Sequence, residues 1–150
     1  MNNDVKWMQL AIIEAEKAKK IGEVPVGAIL VKNHKVITRA HNQSISNKDP
    51  TAHAEIQLLR KSGKKLQNYR LNDCTIYVTL EPCAMCFGAM MHARIDRIVY
   101  GAYDFKTGVC GSSIDLTNSN NFNHRAEITA GVLEHDCKKI IQDFFKEKRY

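Results

Sequence analysis

"CTIYVTLEPCAMCFGAMMHARIDRIVYGA", Cys74 to Ala102, contains two β-rich runs, Cys74–Leu80 and Arg97–Ala102, separated by a segment that opens on Pro82 and carries helix-compatible residues. The connection is far too long for a hairpin and long enough for a helix from about Cys83 to His92. The spacing therefore predicts a strand, helix, strand unit, with parallel neighbouring strands and a right-handed crossover.

Outward from this unit the pattern continues. From Asp4 to about Ile21, Val5, Met8, Ile12 and Ala15, flanked by Ala11 and Ala18, recur at three- and four-residue steps, and Gly22 supplies a stop. "VGAILVKNHKVITRAHN" gives two strands, Val26–Val31 and Val36–Ala40, with the polar "KNHK" as a hairpin turn. A helix from about His53 to Lys61 is introduced by Pro50 and Thr51. "AEITAGVL" reads as a last edge strand and "HDCKKIIQDFFKEKR" as a closing amphipathic helix with basic residues at its end. The sum is a mixed sheet with helices on both faces, an α/β domain.

The length of 150 residues, 44% hydrophobic and 25% charged, fits one domain spanning 1–150. There is no internal repeat or low-complexity linker; "TNSNNFNH", Thr117 to His124, reads as a surface loop. The N-terminus has acidic residues within its apolar pattern and no small-residue cleavage site, and no apolar stretch is long enough to cross a bilayer, so a soluble cytoplasmic protein is expected. Five cysteines (Cys74, Cys83, Cys86, Cys110, Cys137) are an odd number for a disulfide framework and point to reduced thiols or metal ligands. A net charge of +6 and the basic terminus "KEKRY" favour a polyanionic partner.

Two helix starts carry the chemistry. Cys83 and Cys86, three apart behind Pro82, fall in the first turn of their helix, where free backbone N–H groups and the helix dipole favour thiolates. His53 and Glu55 stand at the head of another helix, in "PTAHAEIQLLR". Two thiolates and an imidazole suit Zn²⁺, and three protein ligands leave a fourth position open for water. A structural site would need a fourth ligand, which Cys74, Cys110 or one of His34, His41, His92, His124 and His135 could supply. Glu55 points about 200° away from His53 on a regular helix, so the two converge only at the helix end, with different roles: His53 as ligand, Glu55 as general base and then general acid. Read singly, His53 could be an ordinary helix-start residue and Glu55 a charge complementing the dipole.

His53-Ala54-Glu55 followed by Pro82-Cys83-Ala84-Met85-Cys86 is the pattern of the zinc-dependent nucleobase deaminases. With "GEVPVGAILV", "DPTAHAEI", "NYRL", "GAMMHARI", "KTG", "NHRAEIT" and "DFFKEKR", nearly the whole chain resembles the bacterial tRNA-specific adenosine deaminases of the cytidine/deoxycytidylate deaminase superfamily. The resemblance implies a cytidine-deaminase-like three-layer α/β/α domain with a five-stranded mixed sheet. It implies a homodimer that converts adenosine to inosine at the wobble position of an arginine tRNA, with neither membrane nor DNA as a partner. By the same resemblance His53, Cys83 and Cys86 hold one zinc ion per chain and Glu55 shuttles protons. Asn42 meets the flipped adenine, and Asp104, Lys106, Asn123, His124 and Phe144 meet the anticodon loop. Phe87 departs from the family, which has a small residue after the second cysteine; its bulk bears on pocket shape. The helix "FGAMMHARI", with its paired methionines, is the expected dimer face. Two other functions compete. A free-base or nucleotide deaminase would share the metal motif without needing a basic surface. A zinc-stabilised RNA-binding module would have no use for Glu55.

Overall fold

The computed structural model describes residues 3–148. Along the chain run α1 (Asp4–Lys20), β1 (Gly27–Lys32), β2 (Lys35–His41), α2 (Ala54–Leu66), β3 (Cys74–Leu80), α3 (Ala84–His92), β4 (Arg97–Ala102), β5 (Glu127–Thr129) and α4 (Glu134–Lys148). The strands form one five-stranded sheet in the order β2-β1-β3-β4-β5. β1 is antiparallel to both β2 and β3, while β3, β4 and β5 run parallel, so the sheet is mixed and the predicted β3-α3-β4 crossover is present.

The central strands read as near-continuous apolar runs because both of their faces are covered. Ala28, Leu30, Ile76, Val78, Ile98 and Tyr100 point to one side, into a core shared with Leu58 of α2 and Phe87 and Met90 of α3. The alternate residues Ile29, Val31, Tyr77 and Val99 point to the other side, against Trp7, Met8 and Ala11 of α1 and Cys137 of α4. These are the three layers expected. The first turn of α1 is also tied to the sheet: Arg97 donates two hydrogen bonds to the buried Asp4 carboxylate, at 2.9 and 2.7 Å, and the Tyr77 hydroxyl donates a third at 2.8 Å.

The hairpin between β1 and β2 turns on Asn33 and His34, both at positive φ (52° and 61°), which matches the twist of the strands it joins. Ile37 is the extra residue of a bulge, since Leu30 faces Thr38 while Val31 faces Val36. Three elements differ from the sequence expectation. α2 continues past Lys61 to Leu66, because Gly63 is absorbed within the helix and the stop comes from Gln67, left-handed at φ 55°, whose N–H reaches the Gly63 carbonyl. β5 is confined to Glu127–Thr129, since positive φ at Gly131 (78°) and Leu133 (52°) turns the chain out of line. Met90 and Met91 are 0% and 3% exposed, buried in their own chain's core, so they do not make the dimer face expected of them.

The loop at Thr117–His124 lies on the surface, anchored where Phe122 meets Phe87 edge-on at 5.5 Å. Among the described residues no helix is long and apolar enough to cross a membrane. Arg149 and Tyr150, the end of the basic terminus, lie outside the described residues.

α1 crosses β1 so closely that a Cβ on Gly27 would overlap the Ala11 carbonyl oxygen and the Ala15 nitrogen, which are backbone atoms with nowhere to go. Gly27→Ala is expected to destabilise the protein by about 3 kcal/mol, the upper end for overpacked cores. Urea denaturation checks this, and a midpoint equal to that of the unchanged chain would disprove the close approach.

Candidate metal and catalytic site

His53 and Cys83 occupy equivalent places: each is the N-cap of its helix, α2 or α3, with extended backbone (φ −67°, ψ 157° and φ −82°, ψ 174°). An N-cap side chain ordinarily turns inward to accept its own helix's N–H. Neither of these does. Asn42 relieves His53 of that task, its Oδ1 accepting the Ala54 N–H at 2.8 Å. Both side chains are therefore free to face one another. His53 Nδ1 lies 3.7 Å from Cys83 Sγ and 3.5 Å from Cys86 Sγ.

The three ligand atoms fall within 4.8 Å of one another, and among the described residues this is the group of histidine, cysteine and carboxylate side chains able to hold a metal ion. Cys74, Cys110 and the remaining histidines stay outside it, which removes the fourth ligand that a structural site would require. Two sulfurs and a ring nitrogen around one point are the donor set that tetrahedral metals with one open position use, so the residues fit such an ion.

The electrostatics follow from this crowding. A hydrogen bond from Cys86 holds the Cys83 thiol down to about 4, with His53 contributing, while the same bond and burial push Cys86 upward. The pair thus shares a proton, with the thiolate on Cys83. His53 is raised, chiefly by its hydrogen bond with Cys83. Glu55, 4% exposed, is pushed up to about 7, first by burial and then by the Cys83 charge. A carboxyl poised near neutrality can both take and return a proton. His53 precedes the helix proper, so the 200° rule does not separate it from Glu55. Both line a cavity of about 190 Å³ with Asn42, Glu81, Cys83, Asp104 and Thr107.

The expected RNA contacts separate into three groups. Asn42 and Asp104 line the cavity, and Lys106 is exposed on the same loop as Asp104. The Asp104 carboxylate is engaged locally, accepting from the backbone N–H groups of Lys106 and Thr107 at 3.1 Å each and from the Thr107 hydroxyl at 2.8 Å, so it shapes the turn that displays Lys106. Asn123 is exposed, and His124 Nε2 donates to the Ile95 carbonyl at 2.6 Å, just before β4 and thus at the opposite end of the sheet from the cavity. Phe144 is 7% exposed and packs inward, whereas Phe145 is 46% exposed. Phe145 borders a second hollow of about 650 Å³, which it shares with Tyr103, Phe105, Lys106 and Lys138 and which has Val24, Leu80, Asp104 and Thr107 in common with the cavity.

Glu81 was not singled out by the sequence, although an acidic residue closing a buried strand was a readable signal. It is 2% exposed, and its carboxylate accepts the N–H groups of Asp104 (3.0 Å), Cys110 (2.9 Å) and Ser112 (3.2 Å) together with the Ser112 hydroxyl. The backbone of Gly108 rests on it so closely that a Cβ there would overlap the carboxyl carbon. One side chain thereby holds the loop that walls the cavity.

A buried carboxylate beside an imidazole and two thiols, at the helix ends of a layered mixed sheet, defines a metal-dependent deaminase of the cytidine-deaminase-like fold. The MafB19-like deaminase family profile matches residues 2–149. A tRNA-specific adenosine deaminase of Haemophilus influenzae is 48% identical over 147 residues, covering 97% of this chain and 85% of its own. A solved structure described as a tRNA:A34 deaminase, which edits A to I at the wobble position of transfer RNA, superposes with a TM-score of 0.88 at 39% identity, covering 90% of this chain and 98% of that one. A guanine deaminase from Bacillus subtilis aligns less completely, with a TM-score of 0.64 and 37% identity over 69% of this chain and 66% of that one. The chain belongs to the tRNA-specific adenosine deaminase family.

Glu81→Gln puts an amide NH₂ where two donors now converge, so one half of the loop's anchorage must fail. The expected cost is about 2–3 kcal/mol, the scale of hydrogen bonds to a charged group. Hydrogen exchange should report it locally, with faster exchange at Asp104, Cys110 and Ser112 and unchanged exchange in β1 and β3.

Proposed function

We propose that this protein hydrolyses adenosine to inosine at the wobble position of a tRNA anticodon, an arginine tRNA by family resemblance, with zinc held by His53, Cys83 and Cys86 and protons carried by Glu55. The observation that carries the reading is the buried Glu55 carboxyl, poised near 7, beside a three-ligand group in a cavity the size of one base. Zinc, when bound, supplies a Lewis acid that makes water a nucleophile near neutral pH. The chain's own residues do the rest. Glu55 carries the protons of the attacking water, one to N1 of the ring and one to the departing amino group, so that ammonia leaves and the exocyclic oxygen on C6 of inosine remains. Asn42, its Oδ1 held by Ala54, offers its amide N–H to the base, and the wall made by Asp104 and Thr107 excludes bulk water.

The partial likeness to a guanine deaminase favours a second reading, hydrolysis of a free base. The open hollow beside the cavity favours tRNA. A free base needs only the cavity, whereas a nucleotide flipped from an RNA loop brings neighbours and phosphates with it. Tyr103, Phe105 and Phe145 offer faces for stacking, and Lys106 and Lys138 offer charge for the backbone.

The reading includes a homodimer in the cytoplasm. The accessible side of α3 carries exposed Ala84, Met85 and His92 and the half-buried small residues Gly88 and Ala89, next to a groove of about 780 Å³ bordered by Tyr69 and α2, and a second copy packs there closely. Asn123 and His124 lie far from their own chain's cavity, so they meet RNA through that second copy.

Purified protein should convert an anticodon hairpin with adenosine at the wobble position to the inosine form, as nucleoside analysis would read. Efficient deamination of guanine with the hairpin untouched would replace the tRNA reading by the free-base one. Cys83→Ala should lose most bound zinc by metal analysis. Glu55→Gln should keep zinc and fold while losing about 10²–10⁴-fold in rate, the usual worth of a positioned acid–base group.

The two adjacent phenylalanines should part company in the same assays. Phe145→Ala should weaken hairpin binding by about 1–3 kcal/mol, the worth of one stacked base, with little change in stability. Phe144→Ala should instead lower stability by about 3 kcal/mol. The reverse pattern would return the RNA contact to Phe144.

A further inference from the structure

We propose that the face formed by α2 and the edge strand β2 is a second RNA-binding surface, which takes the phosphate backbone of the double-stranded stem leading to the reacting loop. This rests on the reading of an anticodon stem-loop as substrate.

The argument begins with where the charge is. Residues 35–48 and 56–72 hold eight of the chain's 22 Lys and Arg residues and none of its 16 Asp and Glu residues. The rest of the chain carries 14 basic against 16 acidic residues, so the excess of positive charge lies in these two segments; on the β2 side of α2 it is supplied by Lys35, Lys61 and Lys65, while Arg39, opposite Ile29, leaves β2 on the α1 face. Lys35, Arg39, Lys48, Arg60, Lys61, Lys64, Lys65 and Arg70 are all exposed. Elsewhere the surface is mixed: α1 and α4 each carry acidic and basic residues, with pairs such as Lys17 with Glu14 and Lys139 with Asp143. Arg60 is the exception within the corner, paired with Asp49 at 3.3 Å.

The two segments are distant in sequence and packed in space. The Thr38 and Ser62 hydroxyls share a hydrogen bond at 2.5 Å, Lys61 Nζ donates to the Arg39 carbonyl at 3.0 Å, and Lys65 Nζ donates to the Ile37 carbonyl at 2.7 Å. Those bonds fix two ammonium groups over the β2 edge, one helical turn apart, each with donors left over. Arg60 and Lys64 lie on the other side of α2, bordering the groove toward α3, so the β2 side stays clear of the dimer face proposed above.

The direction of α2 completes the case. It begins at His53 and Glu55 and runs 13 residues, about 20 Å at 1.5 Å per residue, away from the cavity. A stem leaving a loop seated at the cavity needs neutralisation along such a line. Phosphate contacts of this kind add affinity without reading sequence and make binding strongly salt-dependent.

The test combines Lys35→Gln, Lys61→Gln and Lys65→Gln in one zinc-loaded protein. Glutamine keeps an N–H donor near the β2 carbonyls while removing the charge. Two probes are compared: the anticodon hairpin, and a single-stranded oligonucleotide of the loop sequence alone. We expect the KM and the anisotropy-measured Kd for the hairpin to rise about tenfold, kcat to stay within about twofold, and values for the loop oligonucleotide to stay unchanged. The slope of log Kd against log salt should become shallower by about two to three, close to one unit for each phosphate that is no longer neutralised. An unchanged hairpin Kd and slope would overturn the proposal, as would an equal weakening on both probes, which would locate the effect in the site. Should the threefold variant not fold, Lys61→Gln/Lys65→Gln and Lys35→Gln are judged separately by the same criteria. If the unchanged protein forms no inosine, the deaminase reading fails, yet hairpin Kd still decides the fate of this surface.

Discussion

The parallel pairing of β3 with β4, set against the antiparallel pairing of β1 with β3, is the constraint on which the site depends. Gly27 faces His41, Ala28 faces Val78 and Leu80 faces Ala102, so the carboxyl ends of β2, β3 and β4 all arrive at one edge of the sheet. Three connections must leave from that edge: residues 42–53 toward α2, residues 81–83 toward α3, and residues 103–115 over the top. A parallel neighbour cannot be reached by a tight turn, so α3 has to begin where β3 ends and run back. The N-termini of α2 and α3 therefore converge at the edge, and ligands in α/β sheets gather at such an edge for this reason. The strand order thereby brings together the stretches that carry His53 and Cys83, thirty residues apart in sequence, and their Nδ1 and Sγ atoms lie 3.7 Å apart.

What the strand order leaves loose is the irregular backbone at that edge, and buried carboxylates hold it. Glu23, 1% exposed, accepts the N–H groups of Ile45 (3.1 Å) and Ser46 (2.6 Å) and the Ser46 hydroxyl (2.7 Å), which pins the approach to α2. Glu81 does the same for the loop after β4. Glu55 is just as buried and behaves differently. Burial also works to raise Glu23, but the donors from Ser46 and Ile45 outweigh it and hold the carboxyl below its ordinary range. At Glu55 burial prevails and the nearby Cys83 thiolate adds to it. One arrangement fixes a charge so that backbone can rest on it. The other leaves the proton mobile, which is the property catalysis uses.

Much of this was legible in the sequence because the β-rich runs are nearly continuous and the segment between them is too long for a turn. Those runs and the intervening helix of Cys74–Ala102 mark the crossover, and the positions of His53, Glu55, Cys83 and Cys86 at helix starts mark the site. What escaped depended on which way a helix is rotated or on contacts between distant segments. The exposure of Phe145 and burial of Phe144 follow from the inward series Cys137, Ile140 and Phe144, steps of three and four that were available to be read. The burial of Met90 and Met91 was not available, since it depends on how much room the sheet leaves under α3. Glu23 looks like an ordinary acidic residue until the loop that folds onto it is known, and nothing local marks the end of α2, because Gln67 adopts the left-handed stop that glycine or asparagine more often supplies.

The sizes of the two hollows bear on how such a site selects its substrate. The cavity at Glu55, about 190 Å³, admits little more than a base, and a base alone gives few contacts with which to offset the cost of extracting it from a stacked loop. The adjoining hollow of about 650 Å³, with three aromatic rings and two lysines, can engage what surrounds that base. Binding energy gained there raises the rate only if it is spent on holding the reacting carbon against the attacking water, which requires the hollow and the cavity to be rigidly connected. The connection is the loop from Asp104 to Ser112, whose Asp104 and Thr107 line both and which is fastened by Glu81 next to the metal-ligating turn. A carboxylate whose oxygens are taken up by loop donors thus links recognition to chemistry.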